Sequence, residues 1–211
     1  MTENFRYHAY CYLDEWIQFD SVFTEKLSLA DDEAAACCLA EIAQYYGVIR
    51  NFRDIGEHPR FSKAWAALKQ ISQPQTIEDA VKQHEELLLL LRADYGKILH
   101  SATSKFLWMR FKSPVIIYDQ LALGWLCAHA GCKPEWEYGL YCETWLRSYR
   151  KYEPEIRIAC QGLLSVKSFT LAADWQSEAL GNVIDTEWFR QRVFDNFLLF
   201  RPGDTRSTSV S

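Results

Sequence analysis

Apolar residues recur at helical spacing along nearly the whole chain, and the strict alternation that marks a half-buried strand is almost absent. The pattern predicts an all-α fold, with helices near residues 7–25, 32–51, 59–72, 77–95, 103–111, 120–130, 135–152, 154–164 and 187–200. Several of these segments carry end signals. Thr76 followed by Asp79 has the form of a capping box, Asp119 precedes the segment at 120, and Asp185 or Thr186 precedes the last one. Gly96 and Gly131 are placed to stop the helices before them. The single strand-like run, Val115 to Tyr118, is bracketed by Pro114 and Asp119 and is too short to make a sheet, so it reads as an extended connector.

The chain has 211 residues, of which 49% are hydrophobic and 15% aromatic, so a large core can form without disulfide or metal staples. No repeat and no Pro/Gly/Ser linker divides it. Residues 1–201 are expected to form one compact helical domain that admits two lobes, and the Ser/Thr-rich tail 202–211 is expected to be disordered. The longest aliphatic run, Leu87 to Leu91, is flanked by Glu85, Glu86 and Arg92, far short of a membrane span. No basic-then-apolar leader opens the chain, and the seven cysteines are odd in number and scattered. Free or buried thiols in the cytoplasm are the expectation. A net charge of -5 disfavours binding nucleic acid over the whole surface but leaves room for a local basic patch.

Such a patch is suggested by residues 96–131. Between Asp94 and Asp119 there is no carboxylate, while Lys97, Lys105, Arg110, Lys112 and His100 are all present. These cations either hold phosphates or occupy an ordinary solvated face. Ser101, Ala102, Thr103 and Ser104 would leave unpaired backbone NH groups at a helix start, where an anion is favoured. Asp119 would sit at the start of the next helix, so that a lysine and a carboxylate face one site. The plainer alternative is that Asp119 is only an N-cap.

This order resembles the second half of the helix-hairpin-helix base-excision DNA glycosylases. There a small turn opens a helix that in some members bears a catalytic lysine, and a short connector delivers an aspartate to the cap of the following helix. Lys105 matches the lysine, Val115 to Tyr118 the connector and Asp119 the aspartate, while Ser101 to Ser104 replace the glycine-containing turn. The resemblance spans about a sixth of the chain. It implies a two-lobed helical fold and a glycosylase that cleaves the bond between a flipped, damaged or modified base and its sugar, in repair or in defence against phage carrying modified bases. In that chemistry Asp119 stabilises oxocarbenium character and positions water, and Lys105 attacks C1′ as an amine or anchors a phosphate. Lys97, Ser101, Thr103, Ser104, Arg110 and Lys112 would then contact the DNA backbone, and Trp108, Tyr118 and Trp125 would line the base pocket unless they are simply core. No cofactor or metal is required.

Other constellations point less far. Arg147, Arg150 and Lys151, interleaved with Tyr149 and Tyr152, suit a helix C-terminus and, secondarily, phosphate. Cys127, His129, Cys132 and Cys142 lack the paired spacing of a zinc site, and Cys37 and Cys38 look like packing residues. His8, His58 and His84 have no companion at triad or metal spacing, and no Gly-rich phosphate loop follows a strand. Two readings of other kinds stay open: a non-catalytic helical adaptor whose acidic, aromatic surface serves protein contacts, and a hydrolase acting on a small nucleoside.

Overall fold

A computed structural model describes residues 4–52, 60–130 and 137–199, and among them there is no strand. The helices are α1 (Phe5–Glu15), α2 (Ser21–Leu29), α3 (Asp32–Tyr45), α4 (Ser62–Gln70), α5 (Ile77–Tyr95), α6 (His100–Phe111), α7 (Gln120–Ala130), α8 (Tyr138–Val166), α9 (Ser177–Ile184) and α10 (Glu187–Leu199). His58, Gly131, Cys132, the helix start at 59 and the tail 202–211 lie outside the described residues.

Local chemistry sets most ends. Thr76 Oγ1 accepts from the Asp79 amide and the Asp79 carboxylate accepts from the Thr76 amide, each at 3.1 Å, which closes the capping box of α5. Gly96 ends that helix in the left-handed region at φ +66°. Thr186 Oγ1 accepts from the Phe189 amide at 3.3 Å and so caps α10.

Three departures from the sequence reading have physical causes. The helix expected at 7–25 is α1 and α2 joined by a π-helical turn, Trp16–Asp20. The helix expected to end at 51 stops at Tyr45, because Gly47 turns the chain at φ +68° before a short 3-10 turn at Ile49–Asn51. The helices expected on either side of Pro154 are one, α8: Tyr141, Trp145, Ser148 and Tyr149 before the proline and Ile156, Ala159, Cys160 and Leu163 after it form one buried stripe, and its packing outweighs the hydrogen bond that proline removes. The short α9, unassigned from sequence, is held by packing against α8 and α10.

Helix packing falls into two groups. α1, α7, α9 and α10 gather around the long α8, while α2 to α6 form a second set in which α6 touches α2, α3 and α5. One continuous core of buried side chains runs through both, from Phe5 to Leu198. Trp108, Trp145, Phe106, Phe189 and Phe194 are among its largest members. Among the described residues no helix is long and apolar enough to cross a membrane, and the described cysteines are all free thiols.

Candidate functional site

Where the two helix groups meet, a pocket of about 520 Å³ opens between the ends of α1 and α3, the middle of α6, the start of α7 and the last turns of α10. Its size suits a small organic ligand. Lys105 and Asp119 both line it.

Each of these two is placed by its own element. Lys105 lies one helical turn beyond Ser101, and its Nζ donates to Ser101 Oγ at 2.7 Å. Asp119 caps α7, with Oδ1 accepting from the Leu121 amide at 2.9 Å. Its other oxygen, Oδ2, stands 3.4 Å from Lys105 Nζ. The connector between them is fixed from three sides. Tyr138 and Tyr141 donate their hydroxyls to the carbonyls of Ile116 (2.6 Å) and Ile117 (3.0 Å), and the Tyr118 amide donates to Ser104 Oγ at 2.9 Å. Burial pushes the Lys105 amine below its ordinary value, and the Asp119 carboxylate opposes that shift.

The far wall comes from residues distant in sequence. Arg192 of α10 is buried over the rings of Tyr12 and Trp108, each 5.1 Å from its guanidinium. It donates to Asp195 Oδ2 at 3.0 Å and to the Tyr46 hydroxyl at 3.2 Å, and it lies 3.6 Å from Glu15 and 3.7 Å from Asp20. Asp195 also accepts from Trp145 Nε1 at 2.9 Å, and Asp20 accepts from the Tyr46 hydroxyl at 2.8 Å. Burial raises the carboxyls of Asp20 and Asp195 to about 6, against the pull of Arg192. Among the described residues the ion pairs of Glu15, Asp20, Asp119 and Asp195 are with Lys105 and Arg192, and Lys112 acts on Asp20 from farther off, so carboxylates outnumber cations along the wall.

The remaining sequence candidates are placed differently. Thr103 and Ser104 are fully buried, with the Thr103 hydroxyl donated to the Leu99 carbonyl and the Ser104 hydroxyl to that of Ser101, so neither is exposed for the phosphate contact expected of it; Ser104 instead braces the connector. Ser101 is half-buried and engaged with Lys105. Arg110 donates to the Leu68 carbonyl and lies 4.9 Å from the Phe111 ring, while Lys112 sits between the indoles of Trp16 and Trp188 at 5.3 and 5.6 Å. Lys97 is half-buried just after Gly96. Of the aromatics expected to line the pocket, Trp108 is buried beneath Arg192, Tyr118 packs edge-on against Tyr141, and Trp125 stacks on His129 and meets Phe197. Trp108 and Tyr118 are core residues and Trp125 is half-buried against the core; Tyr45 and Tyr46 line the pocket in their place.

Sequence reasoning passed over Glu15, Tyr46, Arg192 and Asp195. The one signal available was charge on an apolar helix, since Arg192 and Asp195 stand among Phe189, Val193, Phe194 and Phe197. Among the described residues no group of three or more His, Cys, Asp or Glu side chains is placed to hold a metal ion. Comparison with protein-family models, with curated proteins and with solved structures finds no match.

Proposed function

We propose that this protein cleaves N-glycosidic bonds, acting as a DNA glycosylase on a damaged or modified base turned out of the duplex into the pocket. The observation that carries the reading is the approach of Lys105 Nζ to within 3.4 Å of Asp119 Oδ2 at the wall of that pocket. As the bond between C1′ and the base stretches, positive charge grows on the sugar, and the Asp119 carboxylate, held by the α7 cap, stabilises it. The base leaves with the bonding pair and takes up a proton, and C1′ is captured by water or by the Lys105 amine. Burial favours the neutral, nucleophilic form of that amine.

A second reading has an observation of its own. Arg110 and Lys112 are committed to aromatic rings, Lys105 is buried beside Asp119, and the pocket wall is acidic, which leaves little of the cationic segment for a phosphate backbone. That balance suits hydrolysis of a free nucleoside or another small N-glycoside. Incubating the protein with duplexes carrying modified bases and, in parallel, with free nucleosides separates the two by whether abasic DNA or free sugar accumulates. Asp119→Asn is expected to lower base release at least 100-fold in either case, as loss of a group acting on transition-state charge does. Release that is undiminished in Asp119→Asn refutes the assignment.

A further inference from the structure

The π turn between α1 and α2 does something that an α-helix cannot. Glu15 and Asp20 are five positions apart, and at about 100° per residue an α-helix would splay them by about 140°. In a π turn the backbone bond runs to the fifth residue, as it does here from the Ser21 amide to the Trp16 carbonyl, so residues five apart come onto one face. Both carboxylates accordingly reach the same guanidinium, at 3.6 Å for Glu15 and 3.7 Å for Asp20. Asp20 is fully buried beneath the pocket and is held by the Tyr46 and Tyr12 hydroxyls. The Glu15 side chain remains 21% exposed and lines the pocket. Such turns are rare and gather at functional sites.

The groups around the cavity divide by what they have already bonded. Lys105 donates to Ser101 and Asp119, and the terminal nitrogens of Arg192 donate to Asp195 and the Tyr46 hydroxyl. On the acceptor side, both Asp119 oxygens and both Asp195 oxygens are engaged. Asn196, which also lines the pocket, accepts at Oδ1 from His8 Nδ1 at 2.9 Å. Glu15 is 3.6 Å from Arg192 and hydrogen-bonded to the Tyr45 hydroxyl, and its two oxygens, partly exposed in the pocket, can accept a further donor. It also stands at the junction with an adjoining groove of about 400 Å³ walled by Tyr7, Tyr10, Phe19 and Tyr45, where Phe19 and Tyr45 stack at 4.4 Å. Glu15 and Tyr45 line both the pocket that holds Asp119 and this groove, so a ligand spanning the two would meet the Glu15 carboxylate.

We infer that Glu15 is the specificity-determining residue of the pocket: it accepts a hydrogen bond from an amino group on the edge of a planar nitrogen heterocycle, so the site selects amino-bearing, uncharged or cationic bases and rejects those without a donor there. The inference rests on the N-glycosidase reading for the kind of ligand, but its test does not require turnover. Charge-assisted bonds to a carboxylate are the stronger kind, and a ligand that covers Glu15 without offering a donor takes water from the carboxylate with nothing in return.

The experiment compares 9-methyladenine with 9-methylpurine, which differ at the amino group and share a blocked N9, by titration calorimetry on the full chain. The wild-type protein is expected to bind 9-methyladenine about tenfold more tightly. In Glu15→Met the ratio falls to about one while affinity for 9-methylpurine is retained, and in Glu15→Gln, which keeps an acceptor oxygen but loses the charge, the ratio is intermediate. A purely structural role would weaken both ligands alike and leave the ratio unchanged. The inference is overturned by an unchanged ratio in a folded Glu15→Met protein, or by wild-type protein that binds neither base or both equally. Absence of base release by wild-type protein, with the Glu15-dependent ratio intact, would instead remove the N-glycosidase reading and leave this inference standing.

Discussion

Removing the carboxylate of Asp119 acts on stability through two separable effects, and their sizes follow from its contacts. Asp119 caps α7 through the Leu121 amide, and losing a cap of this kind costs about 1 kcal/mol. It is also the ion-pair partner of Lys105, whose side chain is only 5% exposed. Stranding a charge in a fully buried pair costs roughly 3–5 kcal/mol. Because the Asp119 side chain is 27% exposed and the pocket admits water, about 2 kcal/mol is the better figure here. Asp119→Ala should therefore lose about 3 kcal/mol in all. Lys105→Met, which removes the buried charge and keeps the stem, should change stability by less than about 1 kcal/mol, because the remaining carboxylate is still capped and partly wet. The double variant should lose only the cap, about 1 kcal/mol, giving a coupling near 2 kcal/mol. Urea unfolding of the four proteins measures this directly. A coupling below about 0.5 kcal/mol would mean that the 3.4 Å approach carries no energy, and the electrostatic basis of the site would fall with it.

Burial lowers the imidazole of His84, stacked on Tyr138 at 3.7 Å, to about 3, so the unfolded chain takes up its proton first as pH falls; that part of the stability is complete above about pH 6.5 and declines toward pH 3 at up to about 1.4 kcal/mol per unit. Asp20 and Asp195, raised to about 6, act oppositely, adding stability as pH falls from about 6 to 4, so the His84 contribution is read as the difference between wild type and His84→Gln in thermal melts across pH 4 to 7, and parallel curves would refute it. Gly96→Ala should cost about 1 kcal/mol from backbone strain alone, since an added Cβ meets nothing within 4 Å at φ +66°, and Gly96→Asn should cost less; equal melting temperatures for all three proteins would contradict the left-handed cap.

The sequence by itself determined the fold class and most helix spans, because a helix advertises its buried face through spacings of three and four and its ends through caps. The span at 77–95 is α5 and that at 120–130 is α7. Lys105 and Asp119 were legible together because a short extended segment joins their two helices, but the helix expected from 103 begins at His100, so Lys105 lies in the middle of α6 and only Asp119 is at a helix start. Tertiary structure decided what surrounds them. Glu15, Tyr46, Arg192 and Asp195 come from α1, the end of α3 and α10, and their meeting depends on how two groups of helices dock, which no local spacing records. Trp108, Tyr118 and Trp125 carry the residue types of a pocket, yet the first two are buried in the core and the third packs half-buried against it, because aromatic side chains bury wherever the packing admits them. The π turn is the sharpest case: the local sequence is compatible with an unbroken α-helix, and the irregularity is held by two carboxylates five residues apart converging on one buried guanidinium supplied by the other end of the chain.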